Sequence, residues 1–265
     1  MFEKIYHDYL LHKNSVNTEE RYEGNEGWYH ASGAGLCSRK LYYQSIEKIP
    51  SPPKSFKALD HKKRSGMRKM GLGTIIHDNI QNALIYYNNI YNNIYNKENN
   101  KDISKLDIVE NMRVKFDVEG EIELPELNVR GYYDIVTEED NSIGLYDIKT
   151  SANFSWKLKF SSKNVRPQEN RNHFLQLGTY GLAVKKKYGR LDQMGIIYYN
   201  KDTSVMRKVN VPIDYIRQAR LYWHSVNDEH SKGDVPRFQL GTSPVYKWCC
   251  NYCQFKDHCK PPSVI

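Results

Sequence analysis

The sequence contains no long apolar run. No window approaches the roughly 20 apolar residues that cross a bilayer, so no membrane-spanning helix and no membrane partner are expected. The opening stretch MFEKIYHDYLLHKNS lacks a basic segment followed by an apolar one, so no secretory signal is expected either. Glycine-rich phosphate loops of the Gly-x4-Gly-Lys-Ser/Thr type are absent, which excludes that route to nucleotide-driven work. Cysteine is sparse, five in 265 residues. In a soluble, cytoplasmic chain, as these absences imply, such cysteines are thiols or metal ligands rather than disulfides.

A hydrophobic content of 39% is enough for a real core, and the length suits one domain with elaborations. Lysine and arginine number 39 against 31 acidic residues, so the net charge is 39 − 31 = +8. A chain of that sign attracts polyanions by Coulomb forces and counterion release, although charge alone does not single out nucleic acid.

The first seventy residues mix short helical runs with loops; one helix is expected over 38–46, where Leu41, Tyr42 and Ser45 recur at helical spacing. MGLGTIIHDNIQNALIYYNNIY reads as a longer helix with Ile76, Ile80, Ala83 and Leu84 on one stripe and His77 beside it. The Asn/Tyr/Lys tract from Tyr86 to Lys101 reads as a helix tail fraying into a surface loop, with a bias that AT-rich coding supplies, as in a virus or a parasite-like bacterium. Strand patterns follow: NMRVKFDVEGEIEL alternates, LNVRGYYDIVTE is β-branched and aromatic, and SIGLYDIKTS comes after the turn EDN. A helix closing on Gly189, two more strands and a helix capped by Asp214 complete an α/β core wrapped by helices.

Within GLYDIKTS, strand alternation places Leu145, Asp147 and Lys149 on one face. A turn centred on Glu139 and Asp140 would set Asp134 opposite Leu145 and diagonally next to Asp147. Two carboxylates and an ammonium then converge, and burying them uncompensated costs several kcal/mol each. A divalent cation is one compensating partner. Mg²⁺ or Mn²⁺ takes oxygen ligands and lowers the pKa of water, Lys149 can offset developing charge, and a His77 nitrogen would favour Mn²⁺. Taken alone, Asp-x-Lys is a common tripeptide and more often marks a cross-strand salt bridge at a solvated edge, here Lys149 with Asp134 or Asp147, than a metal site.

The surrounding motifs resemble those of the PD-(D/E)XK nuclease superfamily, and within it the RecB-like branch. GYYDIV is similar to the motif carrying the metal-binding Asp, here Asp134, and YDIKT to the acid-x-Lys motif, with Asp147 where many members have Glu. GTIIHDNI resembles the helix that supplies a metal-ligating His, here His77. QLGTYGLA resembles the Gln-x3-Tyr helix of that branch, with Gln176 and Tyr180 on one helix face.

The tail WCCNYCQFKDHC offers Cys250-x2-Cys253-x5-Cys259, a three-ligand spacing. Its fourth ligand could be Cys249, His258 or the distant Cys37, and spacing does not separate zinc from an iron-sulfur cluster. In the iron-sulfur members of the RecB-like nucleases, including CRISPR-associated and AddB-type ones, one Cys precedes the nuclease motifs in a context similar to CSRKLYY and three follow. The resemblance implies a [4Fe-4S] cluster on Cys37, Cys250, Cys253 and Cys259, with Ser38 where Pro is usual.

What the resemblance implies is a restriction-endonuclease-like core, a mixed central sheet flanked by helices, whose N- and C-terminal segments are joined by the cluster. Residues 1–265 would form a single nuclease domain: an N-terminal segment 1–70, a core 71–235 with an Asn-rich insert 86–105, and a cluster segment 236–265. The implied activity is a metal-dependent DNA exonuclease on single-stranded ends in recombination, replication or repair, acting in a host cytoplasm if phage- or virus-encoded. Unwinding would then fall to a helicase or recombination partner. A non-catalytic iron-sulfur nucleic-acid-binding protein and a structure-specific endonuclease are the alternatives. Arg39, Lys40, Lys157, Lys159, Lys163 and Arg166 are candidate phosphate contacts, with Trp156 and Phe160 as stacking surfaces in a loop after the acid-x-Lys strand.

Overall fold

The computed structural model describes residues 2–22, 27–49, 61–95, 114–160, 170–238, 248–251 and 253–259. The helices are α1 (Phe2–Tyr22), α2 (Ser38–Ser45), α3 (His61–Tyr95), α4 (Asn153–Phe160), α5 (Arg171–Tyr188), α6 (Tyr215–His230), α7 (Trp248–Asn251) and α8 (Lys256–Cys259). The strands are β1 (Tyr29–His30), β2 (Val114–Leu124), β3 (Val129–Glu139), β4 (Ser142–Ser151), β5 (Gln193–Asn200) and β6 (Met206–Asn210). They form one mixed sheet in the order β1-β3-β4-β5-β6, with β2 also paired to β3. β4 and β5 run parallel, and β2, β3 and β4 form an antiparallel meander. This is the expected mixed sheet flanked by helices.

Helix α3 and helix α5 cover opposite faces of β4. Gly73 of α3 lies against Thr150, while Gln176 of α5 reaches Asp147, and those strand residues alternate in direction. Leu145, Leu177, Ile196 and Trp223 are fully buried in the main core. The Trp223 indole, which needs a partner when buried, donates to Thr179 Oγ1 at 2.9 Å.

Four sequence expectations are corrected. The β3–β4 hairpin turns on Asp140 and Asn141, both left-handed at φ 42 and 67, because a two-residue turn of that kind matches the twist of the flanking strands. The register therefore sets Leu145 opposite Val136, and brings Asp134 level with Asp147 instead of diagonal to it. Helix α3 begins at His61, before the expected start, and stays helical to Tyr95 through most of the Asn/Tyr tract. The segment after β4 folds into α4 where a loop was expected; its Trp156 N–H bonds Ala152 O at once, so the chain turns from strand to helix without a linker. Asp214 stands at the N-cap of α6, but its carboxylate bonds Arg217 and Gln218 side chains rather than a backbone N–H.

A buried polar network ties α2 to the end of α6. His230 Nδ1 accepts from Tyr29 OH at 2.7 Å, its Nε2 sits 3.0 Å from Ser38 Oγ, and Ser38 Oγ donates to Glu229. A neutral imidazole satisfies this arrangement. Burial holds His230 below its ordinary value of 6.5, partly offset by Glu229 and Ser38. The unfolded chain therefore takes this proton first, so the contribution to stability is complete above 6.5 and is lost as pH falls from there toward the folded value. Thermal melting from about pH 7 to 5 should show a shallower decline for His230→Gln than for the parent; parallel declines would sink the assignment.

Candidate active site

Strand β3 parts from β4 at one point, and the site lies there. Their ladder runs from Glu139↔Ser142 to Ile135↔Tyr146 and stops, and β1 takes the vacated edge at Val129 and Arg130. In the fork, the freed Ile148 N–H donates to Asp134 Oδ2 at 2.6 Å. A buried backbone donor must be satisfied, and here a carboxylate satisfies it, which fixes Asp134 beside Asp147.

Helix α3 delivers His77 to the same place, with His77 Nε2 at 3.0 Å from Asp134 Oδ2. A third group arrives that the sequence did not single out: Glu119 of β2. Ligand atoms of His77, Glu119 and Asp134 lie within 4.8 Å of one another, and Gln81, one turn along α3 from His77, donates to Glu119 Oε1 at 2.7 Å. Nothing in the local pattern distinguishes Glu119 from Glu121 and Glu123 beside it; only the neighbouring Gly120 hints at an unusual backbone.

Asp147 is fully buried. Lys149 Nζ donates to its Oδ1 at 2.9 Å and lies 2.7 Å from Oδ2 as an ion pair, yet out of hydrogen-bond alignment there, so Oδ2 has no hydrogen bond. Gln176 Nε2 approaches Oδ1 at 3.4 Å and donates to Tyr180 OH at 2.8 Å. Gln176 and Tyr180 are themselves buried, so they hold Asp147 rather than face solvent. Burial pushes Asp147 up to about 7; the Lys149 charge opposes this and Asp134 adds to it. For His77, burial acts downward, but the hydrogen bond and charge of Asp134, with Glu119 and Asp147 behind, hold the imidazole above its usual range.

The local charge balance is thus unsettled: acids crowd at a fork with one ammonium and a proton-hungry imidazole between them. His77, Glu119 and Asp134 form a hard oxygen-and-nitrogen donor set, while Asp147 stands outside that group but within electrostatic reach of Asp134 and His77. Glu119, half exposed, leaves one side open to water. The set fits a divalent cation of the Mg²⁺ or Mn²⁺ type, which keeps part of its water shell.

The other sequence candidates fall in two places. Cys37 precedes α2, while Cys250, Cys253 and Cys259 lie in and around α7 and α8. Burial pushes the Cys250 thiol up, with charges on Cys37, Cys253 and Cys259 adding, so these four lie within electrostatic reach of one another. Cys253 and Cys259 also pack on a small cluster of Tyr42, Tyr43 and Phe255. Arg39 belongs to this end, donating to Tyr43 OH; burial pushes the Cys259 thiol up, and the Arg39 charge only partly offsets this. Trp156 and Phe160 pack together at 4.5 Å against the core, Arg207 stacks over Phe160, and Lys159 bonds Asn170. The aromatic that α4 leaves open is Phe154, 74% exposed. Lys40 lines a small surface hollow with Gly33 and Gln44. Lys163 and Arg166 lie outside the described residues.

No curated protein matches the chain. Among solved structures, that of SSO0001 is 17% identical and covers 100% of both chains at a TM-score of 0.54. An alkaline exonuclease, LHK-Exo from Laribacter hongkongensis, is 10% identical over 81% of this chain and 93% of its own, at a TM-score of 0.42. The likeness to SSO0001 is one of fold. A family model matches residues 94–260, which carry the forked strands, Asp134, Asp147, Lys149 and the three C-terminal thiols, but neither His77 nor Cys37. With an acid-x-Lys strand opening beside a second acid, and more than half of the chain matched, the protein belongs to the PD-(D/E)XK nuclease superfamily and is a nuclease of that divalent-metal-dependent kind.

Proposed function

We propose that the protein is a DNA exonuclease of the RecB-like iron-sulfur branch, acting on single-stranded ends in recombination, replication or repair in the cytoplasm. The observation that carries the catalytic part is the Lys149 ammonium held against buried Asp147 at the fork where Asp134 and His77 meet. His77, Asp134 and Asp147 would hold Mg²⁺ or Mn²⁺. When bound, such an ion polarises the scissile phosphate and lowers the pKa of water. Lys149 has N–H donors and a full charge to place on a phosphate oxygen, while Gln176 and Tyr180 keep the Asp147 carboxylate in register. Among the described residues no Ser, Cys or Thr at the fork is hydrogen-bonded to a base, so direct hydrolysis by water is the chemistry these residues serve.

Support for end processing comes from the Gln176/Tyr180 helix and the four thiols, which resemble those of end-degrading relatives. Cys37, Cys250, Cys253 and Cys259 would hold a [4Fe-4S] cluster that joins the two ends of the chain. Exposed Phe154 and the cations of α4 offer a surface on which an unpaired base could stack. A helicase or recombination partner would supply the single strand.

The test uses anaerobically purified protein, Mn²⁺, and two labelled single-stranded DNAs, one linear and one covalently closed. Degradation of the linear strand with the circle intact is expected. Cutting of the circle would replace the exonuclease reading by an endonuclease one, and binding without cutting of either would leave a non-catalytic binding protein.

A further inference from the structure

Alternation along β2 would send Asp117 and Glu119 to the same side. They go to opposite sides: Asp117 bonds Lys187 and Tyr188 of α5, and Glu119 bonds Gln81 of α3. The reset occurs at Glu119 itself, whose φ of 57 is left-handed, a conformation disfavoured for any residue with a Cβ. The rungs Val118↔Ile135 and Gly120↔Tyr133 flank it, and no rung joins Glu119 to Asp134 across from it.

Such a backbone persists only where its surroundings over-determine it. Here the next residue is Gly120, and the Tyr133 ring lies so close that a Cβ at 120 would stand 2.0 Å from Cζ. Tyr133 cannot easily retreat. Its hydroxyl donates to Asp117, Lys187 Nζ lies 3.0 Å from that hydroxyl and 5.6 Å from the ring centre, and Tyr188 OH donates to the same Asp117 oxygen at 2.7 Å. The clamp presses the strand flat on the α5 side, and the left-handed turn throws Glu119 out on the α3 side.

We propose that Glu119 is a further ligand of the divalent ion, and that Tyr133, clamped by Asp117, Lys187 and Tyr188, is the positioning residue that delivers it. The inference rests on the metal reading above. A third carboxylate deepens the negative potential for a cation, and its half-exposed position leaves it free to meet the ion from the solvent side.

Mn²⁺ binding, followed by the electron paramagnetic resonance of the free ion, tests this without any turnover. Asp134→Asn should abolish binding at the site. Glu119→Gln should weaken it about 10-fold, and Gly120→Ala or Tyr133→Phe, which disturb the clamp, should weaken it by a similar factor. In the Glu119→Gln background neither clamp substitution should weaken binding further, which a merely structural role would not produce. If Asp134→Asn leaves affinity intact, the metal reading falls and this inference with it. If Asp134→Asn abolishes binding while Glu119→Gln changes nothing, the inference alone is overturned. Additive losses in the double variants would overturn the positioning role of Tyr133. Tyr133→Phe carries that arm if Gly120→Ala does not fold.

Discussion

Replacing Lys149 by Ala is expected to lower DNA degradation by about 10²–10⁴-fold while leaving DNA binding and the fold in place. The ammonium sits between a fully buried carboxylate and the open side of the fork, and its own side chain is 23% exposed. Truncation removes the charge that a phosphate oxygen would meet and also strips Asp147 of its ion-pair partner. With that partner gone, only the smaller pull of His77 opposes burial and Asp134 at Asp147, so its carboxyl moves further up and the site loses an anionic ligand as well as a cation. Both consequences act on the chemical step. The measurement is single-turnover cleavage of end-labelled single-stranded DNA in Mn²⁺ at matched thiol-site content, with melting temperature as the control for folding. A rate within a factor of about 3 of the parent would mean that Lys149 is only a salt-bridge partner, the reading that its tripeptide alone supports.

Much of this site could be read before any coordinates. Asp147 and Lys149 share a face because strands alternate, and His77 falls on the inward side of α3 because the apolar stripe of that helix does. Asp134 was legible as a neighbour of Asp147, though its alignment depended on which two residues make the hairpin turn; moving that turn by one residue shifts the pairing by two. Glu119 was not legible. Its role depends on a left-handed backbone and on a tyrosine pressed against a glycine from the next strand, and neither leaves a periodic trace in a chain already rich in glutamate there. The stacking candidates erred for a different reason. An aromatic run read as a loop looks exposed throughout, but once α4 forms, one side turns Trp156 and Phe160 inward and leaves Phe154 outside.

If the proposed cluster is present, substituting Cys37 by Ser is expected to remove its visible absorbance from anaerobically purified protein and to lower the melting temperature by about 10–20 °C. The magnitude comes from chain entropy. A link between positions 37 and 250 closes a loop of 250 − 37 = 213 residues, and a cross-link over a loop that long restricts the unfolded chain by about 5 kcal/mol. At roughly 2–4 °C per kcal/mol for a chain of this size, that becomes the stated fall. The structure gives the link something to hold: α2 packs Tyr42 and Tyr43 against Phe255, Tyr42 OH donates to Gly233 O, and the Cys250 thiol feels Cys37 across the gap. Cys249→Ser is the control, expected to keep both absorbance and melting point, because the resemblance places the cluster on Cys37, Cys250, Cys253 and Cys259. If instead Cys37→Ser keeps metal and melting point while Cys249→Ser or His258→Ala loses them, the C-terminal residues bind their ion alone. Zinc held within the tail would then be the better account, and the two ends of the chain would be joined by side-chain packing only.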